Sequence, residues 1–209
     1  MKTVYLASIQ SEEHPRIIGC QKRTVVEEVS TDDPLVGKVA AAIGVEWQKK
    51  GGNPNRYKHT YQCSGDAWTL EDEGAEVARD LGKPGSRKKL RADQYQKIFV
   101  ARYADEDEAI AIMVIEMRRE DDNYKDDRPP GREYLYIRWL LASPIKRGGG
   151  SALVAQAKVA SAIHSGGDLR VDSAGAAAGW YEKQAFKVLY AAAHHFNGDC
   201  GCKCMAWGR

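Results

Sequence analysis

Residues 133–157 constrain this chain more than any other stretch. A β-prone run from Tyr134 to Ala142 meets Ser143 and Pro144. Gly148, Gly149 and Gly150 then open a run of small and apolar residues, Ser151, Ala152, Leu153 and Val154. A strand, a glycine turn and a helix in that order leave backbone N–H groups at the helix start with no internal partner. Together with the helix dipole they form an anion site suited to phosphate or diphosphate. Three successive glycines cost chain entropy, so close approach of a ligand explains them better than an ordinary tight connection.

The rest of the composition bounds the answer. A chain of 209 residues with 43% hydrophobic content can build one compact domain with a real core. The net charge of +2 gives no argument for nucleic acid or for a membrane surface. One basic run, Lys83 to Arg91, carries Arg87, Lys88 and Lys89, but no aromatic platform is interleaved, so it reads as a solvated loop. The acidic pieces Asp105 to Glu108 and Asp121-Asp122 read as exposed turn charges. No apolar run approaches the roughly 20 residues a membrane helix needs, and Met1 to Gln10 is too weakly apolar for a signal peptide. Five unevenly spread cysteines argue against a disulfide framework, which makes a reducing cytoplasm the expected location. The tail, residues 191–209, holds His194, His195, Cys200, Cys202 and Cys204. These are zinc-capable residue types, but Cys-x-Cys-x-Cys is not a common structural zinc spacing, so the tail is expected to be packed or frayed without metal.

Hydrophobic periodicity gives the elements. Val4 to Ile9 reads as a strand. Asp33-Pro34 is a helix start, followed by Leu35, Val39, Ala42, Ile43 and Trp47 at helical spacing. Residues 49–57 read as a loop, and Thr69 with Asp72 as a capping box opening a short acidic helix to Leu81. Lys97 to Tyr103 and Ala109 to Met117 form an antiparallel hairpin. A hydrophilic loop over 118–132 precedes the strand 134–142. A helix over 149–164, a strand Leu169 to Ser173, a short helix Ala176 to Gln184 and a last strand Phe186 to Tyr190 complete the pattern. The fold class expected is α/β (α+β), a mixed, mostly antiparallel central sheet flanked by helices.

Two segments now stand in order. The first is Ile145-Lys146-Arg147-Gly148-Gly149-Gly150-Ser151-Ala152-Leu153-Val154, and the second is Ala177-Ala178-Gly179-Trp180-Tyr181-Glu182-Lys183-Gln184-Ala185-Phe186. Together they resemble the GNAT N-acetyltransferase superfamily over residues 96–190. Its cofactor loop is typically Gln/Arg-x-x-Gly-x-Gly/Ala, and its later segment often reads Ala-x-x-Phe-Tyr-Glu-Lys-x-Gly-Phe. This chain departs from that pattern: Ile145 stands where Gln or Arg is usual, the loop from Pro144 to Gly148 is shorter than the common form, Ala174 stands where Asn is frequent, and Ala185 where Gly is usual.

The resemblance implies acetyl-CoA as cofactor and an amine as acceptor. Gly148, Gly149, Gly150, Ser151 and Ala152 would hold the diphosphate, with Lys146 or Arg147 supplying the charge Ile145 lacks. Leu140, Leu141 and Ala142 would offer backbone to the pantetheine arm, with an N–H near Leu141 polarising the thioester carbonyl. Tyr181 would protonate the departing thiolate. Glu133 or Glu116 would serve as general base, with Tyr136 as a third choice. Residues 1–95 and the 118–132 loop would shape the acceptor site of the same domain, around a 96–190 core, and a homodimer is compatible with the pattern.

Two rivals follow from the same residues. Strand, glycines, helix and a strand ending at Asp172 mimic half of a dinucleotide fold, with Asp172 about twenty residues past the glycines, where a ribose-binding acid belongs. Against it, Leu153 occupies the third-glycine position, and only 36 residues (174–209) follow that strand. The other rival is the same fold kept as an acyl-CoA-binding or interaction module without catalysis.

Overall fold

The computed structural model describes residues 4–5, 23–53, 70–87, 94–106, 108–120, 131–173, 175–191 and 203–208. In chain order the elements are β1 (Val4–Tyr5), β2 (Thr24–Val29), α1 (Pro34–Lys49), α2 (Leu70–Gly82), β3 (Gln96–Tyr103), β4 (Ala109–Arg119), β5 (Glu133–Ala142), α3 (Gly149–His164), β6 (Leu169–Ser173), α4 (Gly175–Lys183), β7 (Lys187–Ala191) and β8 (Lys203–Trp207). They build one eight-stranded sheet in the order β1-β2-β3-β4-β5-β6-β8-β7. β5 and β6 pair parallel, and every other neighbouring pair is antiparallel.

The sheet is a mixed one, as the pattern predicts, and a doubly wound sheet is absent among the described residues. A single βαβ crossover, β5-α3-β6, supplies its one parallel pair, so the dinucleotide reading fails on topology.

Strand alternation sorts the side chains onto two faces. On one face Phe99, Ala101, Met113, Ile115, Leu135 and Ile137 pack with Leu153, Val154 and Ala157 of α3 and Ala178 and Tyr181 of α4. On the other, Ile98, Val100, Ile112, Val114 and Leu141 pack with Val36, Val39, Ala40 and Ile43 of α1 and Ala78 and Leu81 of α2. Each fully buried Leu or Ile contributes roughly 1.5–3 kcal/mol, and both layers hold several, so the sheet is anchored from both sides. The helix α1 starts where its sequence says it should. The Asp33 carboxylate accepts from Leu35 N–H at 2.9 Å, and Pro34 occupies the first turn. Its core stripe is Val36, Val39, Ala40 and Ile43, so the expected Ala42 points to solvent and Leu35 is only half buried.

Three expectations about the strands change. The predicted 4–9 strand is described only at Val4–Tyr5. β2, with its sequence TVVEEV, is an unpredicted strand that pairs with β3 from Ile98 to Tyr103. Phe186 to Tyr190 is not the last strand either: β8 follows and inserts between β6 and β7, pairing with both. In β8 Cys204, Met205 and Ala206 are buried. That part of the tail is therefore neither frayed nor peripheral. Thr69, residues 88–91, the tip of the 118–132 loop, His194, His195, Cys200 and Cys202 lie outside the described residues.

Candidate functional site

The site begins where β5 loses one of its neighbours. β5 pairs with β4 from Glu133 to Ala142. It pairs with β6 only through Leu135, Tyr136 and Ile137. Beyond Val171, β6 continues to Ser173 against β8, with Asp172 opposite Cys204. The β4–β5 register also slips between Val114 and Ile115, so Arg138 is an extra residue at the point of parting. A bulge of this kind bends its strand, which helps carry β5 away from β6.

Hydrogen-bond parity shows which backbone groups face the gap. Ser143 N–H donates to Ile110 O at 2.8 Å, so alternation turns Leu141 and Trp139 toward β4. Leu140 and Ala142 then face the open edge. The Ala142 carbonyl accepts from the Trp47 indole N–H at 2.9 Å. Leu140 N–H, Leu140 C=O and Ala142 N–H stay open to a ligand among the described residues. The N–H expected near Leu141 is thus the one at Leu140, because Leu141 itself belongs to the β4 ladder.

The glycine turn sits at the end of this edge. Gly148 adopts φ 93°, a left-handed conformation that favours glycine. The first internal bond of α3 runs from Ala152 N–H to Gly148 O at 2.9 Å. Earlier in the turn, the Ser143 hydroxyl accepts from Ile145 N–H and Lys146 N–H. The N–H groups of Arg147, Gly148, Gly149, Gly150 and Ser151 therefore remain for a ligand among the described residues. Packing accounts for part of the glycine run. A Cβ on Gly149 would lie 2.8 Å from the Ala111 Cβ, and one on Gly150 would lie 3.3 Å from the Trp180 ring and 3.5 Å from the Ala142 Cβ. Gly149 and Gly150 are buried, whereas Arg147 and Gly148 are exposed.

The two neighbouring cations separate sharply. Lys146 Nζ donates to Glu46 at 2.9 Å and to Glu108 at 2.6 Å. Burial lowers its pKa, and the bonds to Glu108 and Glu46 more than reverse that, so the ammonium is held above its ordinary range. Glu46 also accepts from the Ser143 hydroxyl. Lys146 thus ties the turn to α1 and to the β3–β4 corner, and is a structural clamp. Arg147 projects into solvent beside the open N–H groups, with its carbonyl accepting from the Tyr103 hydroxyl at 3.2 Å.

The expected catalytic residues are not brought together. Tyr181 is buried on α4 in the α3-side core, its ring 4.9 Å from Trp180 and 5.4 Å from Phe186, both edge-on. Trp180 in turn lies on Gly150, so Tyr181 is one residue from the glycine corner. Glu133 is exposed at the far end of β5 and pairs with Arg119 at 2.9 Å. Glu116 is fully buried on the opposite face, clasped by Arg118 at 2.7 Å and Arg138 at 3.3 Å.

That face carries more than the sequence suggests. Register places Gln96, Glu116, Tyr136 and Arg170 in one row across β3, β4, β5 and β6. The Arg118 guanidinium lies 3.5 Å over the Tyr136 ring, and that of Arg170 lies 3.9 Å over Tyr134. The Tyr136 hydroxyl donates to Asp172 at 2.9 Å. Burial, with the Asp172 charge beside it, pushes the Tyr136 phenol far above its ordinary pKa. Tyr136 therefore stays protonated and cannot be the base. Both Gln96 amide atoms and the Trp139 indole nitrogen are buried without a hydrogen-bond partner among the described residues. Trp47, Arg138 and Trp180 were not singled out as site residues from sequence, and Asp172 was named only as the ribose-binding acid of the rival dinucleotide reading.

No protein-family model and no curated protein matches the chain. Solved structures do. A tandem GNAT protein from the clavulanic acid biosynthesis pathway superposes at a TM-score of 0.50 and 12% identity, over 79% of this chain and 44% of that one. The Bacillus subtilis N-acetyltransferase YlbP, solved with coenzyme A, matches at 0.38 and 22% identity, over 53% of this chain and 66% of its own. An agmatine N-acetyltransferase matches at 0.44 and 13% identity, over 88% and 97%. This chain thus spans less than two thirds of the first two. The fold, with its mixed sheet and flanking helices, is the GNAT fold.

Proposed function

We propose that the chain, which has the GNAT fold, is an N-acetyltransferase that moves an acetyl group from acetyl-CoA to a primary amine in a ternary complex. The observation that carries this reading is the half-open β5, whose free edge at Leu140 and Ala142 runs into the unpartnered N–H groups of residues 147–151. A diphosphate joined to an extended amide-bearing arm has the shape and polarity of that surface. The residues therefore fit coenzyme A. Gly148 to Ser151 would receive the diphosphate with Arg147 beside them, and Leu140 and Ala142 the amide arm.

When bound, acetyl-CoA supplies an activated thioester. The chain's own part is orientation, polarisation and proton handling. The Leu140 N–H is the open-edge donor closest to the bulge and is suited to stabilise charge on the thioester oxygen. Tyr181 is retained as proton donor to the departing sulfur, because its ring packs edge-on against Trp180, whose own ring lies at Gly150. Glu116 is assigned a positioning role, since two arginines already occupy its oxygens, and Glu133 is assigned none in the chemistry.

Calorimetry with acetyl-CoA, followed by a free-thiol release assay over a panel of primary amines, tests the proposal. Saturable binding and amine-dependent thiol release are expected. Stabilisation by NAD alone, or no heat with any coenzyme A species, would overturn it. Tyr181→Phe is expected to cut turnover by about 100-fold while acetyl-CoA affinity holds. Unchanged turnover would remove Tyr181 from the mechanism.

A further inference from the structure

We infer that Trp47 sets the register of the cofactor's amide arm along β5, by closing the Ala142 carbonyl. The inference rests on the acetyltransferase reading and adds a positioning residue to it.

The arrangement is built by the last turn of α1. The Trp47 indole N–H donates to the Ala142 carbonyl at 2.9 Å, across 95 residues of chain. The ring lies against Gly74 of α2, where a Cβ would stand 2.3 Å from Trp47 Cδ2 and 2.5 Å from Cε2. No residue with a side chain fits at position 74 while the indole holds this place. Gly44 belongs to the same α1–α2 seam, because a Cβ on it would lie 2.9 Å from the Ala78 Cβ. The neighbours of Trp47 grip the same turn. Glu46 accepts from the Ser143 hydroxyl and from Lys146 Nζ, and Lys50 Nζ donates to the Pro144 carbonyl at 3.3 Å. Four hydrogen bonds thus join residues 46–50 to residues 142–146.

An indole N–H in this layer does not find a partner by default. Trp139 packs in the same α1/α2 layer, and its indole nitrogen is buried without one among the described residues. The bond from Trp47 is therefore specific to the one carbonyl it closes.

That carbonyl matters because of how a strand edge repeats. Groups facing one edge recur every second residue, about 7 Å apart. From the glycine turn, the open edge of β5 presents Ala142 C=O, Ala142 N–H, Leu140 C=O and Leu140 N–H in that order. With both carbonyls free, an extended arm would pair equally well at Ala142 or at Leu140, one repeat apart. In the slipped register the thioester oxygen would stop at Ala142 N–H, short of Leu140 and the bulge. Trp47 removes that choice. An acceptor already engaged, with an indole ring beside it, is a poorer partner than the free carbonyl of Leu140. The arm's amide N–H is then carried on to Leu140 C=O, and the thioester oxygen to Leu140 N–H.

The test uses the full chain with Trp47→Phe, which keeps an aromatic ring on Gly74 and removes the N–H. Binding in the freed, unproductive register is expected. So kcat and the KM for acetyl-CoA should fall together, by about fivefold for one extra hydrogen bond. kcat/KM should stay unchanged, and calorimetric affinity should tighten by the same factor. A loss of kcat/KM, or weaker acetyl-CoA binding, would overturn the inference, since lost packing alone gives that result. The infrared band of a carbon-13-labelled thioester carbonyl gives a readout without turnover. Wild type with labelled acetyl-CoA is expected to show one carbonyl environment, and Trp47→Phe two. Two environments in wild type, or a single unchanged one in the variant, would overturn the role of Trp47 alone. Failure of the wild type to bind acetyl-CoA would instead remove the acetyltransferase reading on which it stands.

Discussion

The two edges of β5 share one strand and behave differently. Toward β4 the ladder is continuous from Glu133 to Ala142, interrupted only by the bulge at Arg138. Toward β6 it stops after three residues. The first edge is a structural seam: buried Ile112, Val114 and Leu141 pack beside it, and Glu116 with its two arginines crosses it. The second leaves backbone polar groups available, which a buried sheet does not ordinarily tolerate. On the closed seam Glu116 is clasped by Arg118 and Arg138, and beside the open one Asp172 accepts from the Tyr136 hydroxyl. The difference teaches that the closed side of β5 carries stability while the proposed chemistry belongs to the open side, so substitutions on the two sides should separate.

The largest effect is expected on the closed seam. Glu116→Ala leaves two guanidinium groups without their carboxylate and should cost about 3 kcal/mol in urea unfolding, whereas Arg147→Ala, beside the open edge, should leave unfolding nearly unchanged. Equal losses would break the comparison. Next comes Gly149→Val, whose side chain meets Ala111 and Ile110 at under 3.3 Å. It should cost roughly 2 kcal/mol and weaken acetyl-CoA binding by displacing the start of α3. Arg147→Ala sharpens the contrast with its neighbour. It should lower acetyl-CoA affinity about fivefold at low salt, less at high salt, with unfolding unchanged. Lys146→Met should instead lower stability, because it releases Glu46 and Glu108 together.

The smallest effect is at Ala185. Its φ of 62° is left-handed, and it closes α4 through Ala185 N–H to Glu182 O at 2.9 Å and Phe186 N–H to Tyr181 O at 3.1 Å. This is the Schellman arrangement, usually made with glycine. Ala185→Gly is expected to stabilise the protein by about 0.5–1 kcal/mol, read as a higher melting temperature with turnover unchanged.

Much of the architecture was legible where periodicity was strong. The β3–β4 hairpin, the run from β5 through α4 and the start of α1 at Asp33-Pro34 follow directly from pattern and capping. β2 escaped because adjacent valines followed by two glutamates do not alternate. β8 escaped because small and sulfur-bearing residues have weak strand preference, and its conformation comes from two flanking partners. At the site, the glycine turn could be read from the residues themselves, whereas the opening of β5 followed only from the family resemblance. Leu140, Leu141 and Ala142 look like any buried strand, and the gap arises from a register slip that only pairing reveals. Lys146 and Arg147 are adjacent cations whose roles are decided by Glu46 and Glu108, one 100 residues and the other 38 residues away in the chain.

The insertion of β8 between β6 and β7 has a consequence for how a nascent polypeptide completes this domain. A ribosome that has released residues through 191 has delivered both flanking strands and α4 between them, yet nothing to join them edge to edge. Until residues 203–207 emerge, the outer side of β6, including the backbone that carries Asp172, is left without its antiparallel neighbour. The end of the gap beyond Val171 is thus set by the last of the described strands to be synthesised.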